Sequence, residues 1–356
     1  QLLRLLYDEW VKLFEKYGQE YPAGYAQLTT NMLDVTDLVD EYQTGDQMAT
    51  RVASSDVLQQ LAKANPQFWG GAADLASSNK TALKDDGNFT PDNYAGRNVY
   101  YGVREFGAAT ATNGINLHVG SRAYVSTFMV FSDYLKAAIQ HLPSIFIFTH
   151  DSLAVGEDGP THEPIEQLAM LRTIPNVQVF RPADAHETVE AWKVIAKTTD
   201  KPSVLIASRQ KLPVLDETKG ADVEKGAYII SPAKTQEPDG ILLASGSEVS
   251  LALEVKAKLQ KQGDYDIQVV SVPSIERFKE QSADYQEQVL PTGVRHRLAV
   301  EMGNTQAWYQ FVGLDGRVVG VDTLGKSGKG PEVVADYGFT VDHVVDVFNK
   351  MWEDQN

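Results

Sequence analysis

The stretch THDSLAVGEDGPTHEP, Thr149 to Pro164, gathers His150, Asp151, Glu157, Asp158 and His162 in a glycine-containing run behind the apolar segment Ile145 to Phe148. Imidazoles and carboxylates this close together serve metal ligation, proton transfer or recognition of a polar ligand. Metal ligation fits poorly, because a twelve-residue gap holding Gly156, Gly159 and Pro160 separates the histidines and no H-E-x-x-H pattern occurs. A serine-hydrolase elbow is missing too: GSEV at Gly246 lacks the trailing glycine of G-x-S-x-G. A plain hydrogen-bonded structural role stays open for both histidines.

Three further groups could carry chemistry. In YYGVREFG, Glu105 stands between Arg104 and Phe106 at the end of a strand-like run. A partly desolvated carboxyl there would keep its proton and act as donor or shuttle, whereas a salt bridge with Arg104 or another base is the plainer reading. In STFMVFSDY, Phe128, Phe131 and Tyr134 recur every three residues, so a helix would align them, as a core stripe or as a slot for an aromatic ring. Arg51, Ser78, His150 and Arg209 lie far apart, and only a fold could unite them. Arg209, ending the strand-like SVLIASR, suits a phosphate or carboxylate, or is a surface cation.

Such side chains need a framework, and the chain alternates short apolar runs with amphipathic ones. FWGGAADL, VYYGV, YVSTFMVF, SIFIFTH, VQVFRPA and SVLIASR read as strands, the third ambiguous with helix; EPIEQLAMLRTI and AHETVEAWKVIAKTT read as helices. That order predicts an α/β layer with a mostly parallel sheet, whose strands carry function at their carboxyl ends. A polar stretch rich in Pro, Gly and Lys, from Lys211 to Gly240, predicts a domain boundary, and a second alternation follows it. At the amino end, Leu2, Leu5, Leu6, Trp10, Leu13 and Phe14 recur at helical spacing. GQEYPAGYAQ then reads as a break before a second helical stretch to about Arg51. The first helix begins uncapped, as a connector leaving a preceding domain would.

The 356 residues carry a net charge of −16, which argues against nucleic acid or an anionic membrane as the main partner, since both need a basic face. No apolar run reaches the roughly eighteen residues of a membrane span, and no signal-peptide pattern is present. With no cysteine, disulfides, thiolate metal sites and a cysteine nucleophile are excluded, and a cytoplasmic setting is expected.

Read together, GGAADLASSN, YYGVREFG, STFMVFSDY, THDSLAVGEDGPTHEP, RPADAHE, SRQ and ASGSEV resemble transketolase, a thiamine-diphosphate enzyme, in order and approximate spacing from about residue 45 onward. The resemblance implies an α/β fold of two doubly wound three-layer domains. Its parts would be a helical connector over 1–44, a pyrimidine-binding domain over 45–215, a linker over 216–239 and a smaller C-terminal domain over 240–356. It implies that Glu105 hydrogen-bonds the cofactor's aminopyrimidine and drives its imino form. Phe128, Phe131 and Tyr134 would surround that ring with Phe128 stacked on it, and Asp74 and Leu75 would lie near the thiazolium. Asp158 would read a sugar hydroxyl and His162 stand beside the reacting carbon, while Arg51, Ser78, His150 and Arg209 clamp the substrate phosphate.

The reaction so implied moves a two-carbon ketol unit from a ketose phosphate to an aldose phosphate in the pentose phosphate pathway, catalysed by a homodimer. No metal ligand is expected among these residues, because the family's GDG…N segment for magnesium and diphosphate does not occur in them. Mg²⁺ or Ca²⁺ would enter only through a diphosphate-binding domain, in cis or as a separate subunit, and the chain alone would be inactive or weak. Departures from the family pattern are Ala72 for serine, Arg122 and Ala123 in the HVGSRAY turn, and Ala154 for glycine. They bear on substrate preference rather than reaction class. A dihydroxyacetone-synthase-like ketol transferase and a non-catalytic dimerisation module are the alternatives.

Overall fold

The computed structural model describes residues 2–139, 142–263 and 265–354. The chain opens with α1 (Leu2–Glu20) and α2 (Pro22–Thr29), then runs without helix or strand to β1 (Gln47–Met48). GQEYPAGYAQ is therefore mostly helical rather than a break, with Pro22 in the first turn of α2, where a missing N–H costs nothing. The second helical stretch expected up to Arg51 is irregular chain instead, and a helix starts only at α3 (Thr50–Ala64). Leu2, Leu5, Leu6, Trp10 and Leu13 of α1 are all more than half exposed. Trp10 stacks on Phe14 at 5.1 Å, and Phe14 meets Tyr25 of α2 at 4.8 Å.

The first domain continues with β2 (Phe68–Ala72), α4 (Ala76–Asn79), β3 (Asn98–Tyr100), α5 (Glu105–Leu117), β4 (Arg122–Phe128), α6 (Ser132–Leu135) and β5 (Ile145–Thr149). It closes with α7 (Gln167–Arg172), β6 (Gln178–Phe180), α8 (Ala185–Lys197), β7 (Ser203–Ala207) and β8 (Leu212–Pro213). Six strands form one sheet in the order β3-β2-β4-β5-β7-β6, every neighbouring pair parallel; β1 and β8 pair antiparallel on their own. Helices cover both faces, so the strands are near-continuous apolar runs. Along β5 the alternation is plain: Ile145 and Ile147 join the core with Leu58 of α3 and Trp192 of α8, and Phe146 and Phe148 join that of Ala108 in α5 and Leu171 in α7. YVSTFMVF, ambiguous in sequence, is strand as far as Phe128, because both its faces are buried.

Residues 216–239, expected as a linker, hold two 3₁₀ turns and β9 (Tyr228–Ser231). β9 is the antiparallel edge of a second sheet, and its four-residue run is masked by charged and proline-rich flanks. That sheet adds β10 (Gly240–Ala244), β11 (Ile267–Ser271), β12 (Arg297–Val300) and β13 (Arg317–Val319) in the order β13-β12-β10-β11-β9. α9 (Glu248–Gly263) links β10 to β11 on one side, and the chain then crosses to β12 on the other. The strand order thus reverses between β10 and β12. No helix among the described residues is long and apolar enough to cross a membrane.

Candidate active site

Parallel strands end together, so residues following β2, β4, β5 and β7 converge on one edge of the first sheet. Asp74 and Leu75 follow β2, Phe128 ends β4, His150 follows β5, and Arg209 lies two residues past β7. His150 packs on Phe128 with ring centroids 3.7 Å apart. His162 meets Phe131 edge-on at 5.5 Å and Phe128 at 6.1 Å. Phe131 and Tyr134 stand 6.1 Å apart. The three aromatics share no helix: Phe128 is in strand, Phe131 ends a 3₁₀ turn and Tyr134 lies in α6. Phe128 is 7% exposed with His150 packed on it, whereas Tyr134 is 67% exposed.

Cationic side chains crowd this edge. Arg51 donates from Nη1 to the Ser78 carbonyl (2.6 Å), while its buried Nε has no partner. Burial and the neighbouring charge of Arg209 hold the Arg51 guanidinium below its ordinary value. His150 is pushed down to about 3, by burial first and then by the charges of Arg51, Arg209 and His162. It is therefore neutral at pH 7. Thr149 Oγ1 donates its proton to Asn79 Oδ1 (2.8 Å), so the 2.8 Å contact with His150 Nδ1 makes Nδ1 the donor and leaves Nε2 an acceptor. Two guanidinium groups brought this close against their own repulsion suit an anionic ligand.

Glu105 opens α5 and is buried. The plainer reading of it as a salt-bridge partner of Arg104 or another base finds no ion pair to Glu105 among the described residues, and Arg104 donates from Nη1 to the Tyr101 carbonyl at 2.8 Å. Among the described residues, no hydrogen bond, ion pair or ring contact joins Glu105, Asp74, Leu75 or Asp158 to the ring-and-cation cluster. Asp158 is exposed at the end of the 3₁₀ segment Leu153–Asp158, which turns at Gly156 with φ of 77°. That segment leans on the second domain: Ser327 Oγ donates to the Glu157 carbonyl at 2.8 Å, and a Cβ on Gly156 would meet Gly330 N at 2.7 Å.

Two residues went unnoticed in the sequence. Glu163, directly after His162, is 3% exposed, and neither carboxyl oxygen has a hydrogen-bond partner. Burial pushes it up to about 7, although the nearby N–H groups of Lys326 and Gly156 oppose the shift. Arg181, in RPADAHE, is buried against three carboxylates. The only signal of either was a charged side chain in an otherwise apolar or proline-bounded run.

A cluster of cations and rings at the carboxyl ends of a doubly wound parallel sheet defines an α/β protein with its candidate chemistry gathered at one sheet edge. Residues 46–214 match the family described as transketolase, pyrimidine binding domain, and residues 226–340 the transketolase-like C-terminal domain. The chain is 48% identical over 351 residues to the transketolase of Bacillus subtilis and 50% identical over 350 residues to that of Geobacillus stearothermophilus. Each match covers 95% of this chain and 52% of the relative. The transketolase of Pichia stipitis, solved in complex with sedoheptulose-7-phosphate, superposes with a TM-score of 0.91 at 35% identity, covering 99% of this chain and 53% of that one. A split-gene transketolase chain, solved as an inactive β4 tetramer, shares the fold at 23% identity and a TM-score of 0.70, covering 86% of this chain and 99% of that one. The chain belongs to the transketolase family, in its pyrimidine-binding and C-terminal domains. It spans about half the length of the curated relatives it matches.

Proposed function

We propose that this chain forms the pyrimidine- and substrate-holding part of a transketolase that moves a two-carbon ketol unit from a ketose phosphate to an aldose phosphate. The observation that carries this reading is the Arg51–His150–Arg209 cluster beside the Phe128–Phe131–His162 rings. When bound, thiamine diphosphate supplies the nucleophilic carbon for ketol transfer. The residues present fit its pyrimidine half: Phe131 and Tyr134 offer ring faces, and the buried Glu105 carboxyl opens a helix where it would meet a ring nitrogen.

Arg51 and Arg209 bind the phosphate of the sugar. His150, with Nε2 as acceptor, takes a hydrogen bond from a sugar hydroxyl or a protonated phosphate. His162 and Asp158 lie on the loop that orders the sugar's reacting end. Diphosphate and Mg²⁺ or Ca²⁺ are held by a diphosphate-binding domain, in cis or as a separate subunit. Tyr100, Val103 and Phe106, exposed around Glu105, support burial of this face against a second copy in a homodimer. A cytoplasmic place in the pentose phosphate pathway is part of the same reading.

The test supplies thiamine diphosphate, Mg²⁺, a ketose phosphate and an aldose phosphate to the chain alone and to the chain joined to a diphosphate-binding domain. Turnover is expected only in the joined protein, and Glu105→Gln there lowers kcat by about 10²- to 10⁴-fold. Robust transfer by the chain alone overturns the need for the further domain; no transfer by the joined protein overturns the catalytic reading.

A further inference from the structure

Doubly wound folds seat a ligand where strand order reverses, which in the second sheet is between β10 and β12. Here a side chain of the first domain fills that crevice. Arg181, just past β6, reaches Glu248 Oε2 at 2.5 Å and the Ser245 carbonyl at 2.8 Å beyond β10, and lies 3.8 Å from Glu301 Oε1 beyond β12. A Cβ on Gly246 would come within 2.7 Å of the guanidinium carbon, so the loop admits Arg181 only because glycine is there. The other edge of Arg181 is turned back on its own domain. Its Nη2 and Nε donate to Asp151 Oδ2 at 2.8 and 3.1 Å.

Asp151 follows His150, and His150 has φ of 64°, a left-handed backbone that a residue with a side chain keeps only where its surroundings over-determine it. Two anchors flank it: Thr149 on Asn79 and Asp151 on Arg181. The second anchor also neutralises a buried carboxylate that would otherwise repel an anion arriving at His150.

We propose that Arg181 is a positioning residue through which the C-terminal domain holds His150, and with it the Arg51–Arg209 anion cluster, in ligand-receiving shape. This rests on reading that cluster as the sugar-phosphate end of the site. The C-terminal domain thereby acquires a role in substrate affinity without touching substrate.

The experiment measures inorganic phosphate affinity of the chain by calorimetry, and KM and kcat of the joined enzyme for a ketose phosphate and for a non-phosphorylated ketose. The principal variant is Arg181→Met with Glu248→Leu, which removes the Arg181–Glu248 pair while keeping the crevice packed and leaves Asp151 without its guanidinium partner. Phosphate affinity is expected to fall about tenfold, and KM for the ketose phosphate to rise to match. Values for the non-phosphorylated ketose stay near those of the unmodified enzyme, and Arg181→Lys recovers part of the loss. A folded double variant with unchanged phosphate affinity overturns the proposal. If that variant does not fold, Arg181→Gln decides, since phosphate affinity that is unchanged in it overturns the proposal equally. An unmodified chain that binds no phosphate also sinks it, whereas phosphate binding without ketol transfer by the joined enzyme sinks only the catalytic reading.

Discussion

A Cβ on Gly325 would overlap the carboxyl group of Glu163, so the second domain's loop approaches the residue beside His162 closely enough that a larger residue would force that carboxyl to move. Leu153 lies 3.1 Å from the same Cβ position and Glu163 is buried, so the carboxyl would have to shift within packed surroundings. Gly325→Ala is therefore expected to destabilise the fold by about 1–3 kcal/mol, the usual cost of overpacking. Thermal unfolding checks this; an unchanged Tm would show that the two loops separate freely.

Glu163 also makes stability depend on pH. Its folded value of about 7 lies above the ordinary 4.5, so the folded chain holds a proton that the unfolded chain has lost. Stability from this group is full below pH 4.5 and declines as pH rises through 7. Glu163→Gln should flatten that decline, read from denaturant midpoints across the interval. An equally steep slope in the variant would assign it to another group.

For His150 the sign is opposite. Its folded value of about 3 lies below the ordinary 6.5, so the folded chain binds fewer protons, and stability is lost as pH falls from 6.5 towards 3. NMR titration should show a neutral Nδ1–H ring at pH 5, and inorganic phosphate should raise the apparent value by offsetting the charges of Arg51 and Arg209. A His150 resonance titrating near 6.5 without ligand would contradict the burial described.

Arg209→Ala removes one of the two guanidinium groups proposed to hold the sugar phosphate. KM for a ketose phosphate is expected to rise by roughly 10- to 100-fold, as for loss of a charged hydrogen bond, with a smaller effect on kcat. A drop confined to kcat would place Arg209 nearer the reacting carbon than the phosphate.

The parallel sheet was legible because buried strands such as Ile145–Thr149 read as unbroken apolar runs, and because parallel order puts chemistry at their carboxyl ends. That logic brought His150, Phe128 and Arg209 to one edge although they lie far apart in sequence. It failed where period and burial disagree. The three-residue spacing of Phe128, Phe131 and Tyr134 suggested one helix, yet strand pairing claims the first of them. Tyr228–Ser231 is too short to stand out among charged neighbours. Glu163 and Arg181 were invisible for a different reason: what keeps a buried charge is its distant partners, and those exist only after folding.

Arg122, wholly buried at the start of β4, donates to the carbonyls of Pro143 and Thr198, both at the amino-terminal end of the first sheet. The sheet is thus riveted at the end opposite His150 and Arg209. A random mutagenesis screen on this chain would sort itself spatially: lesions near Arg122 would be lost as insoluble protein, and lesions near His150 would survive as soluble protein that fails to bind. Tolerance to change is polarised along the strand direction, leaving the ligand-bearing rim open to revision while the opposite rim keeps the architecture.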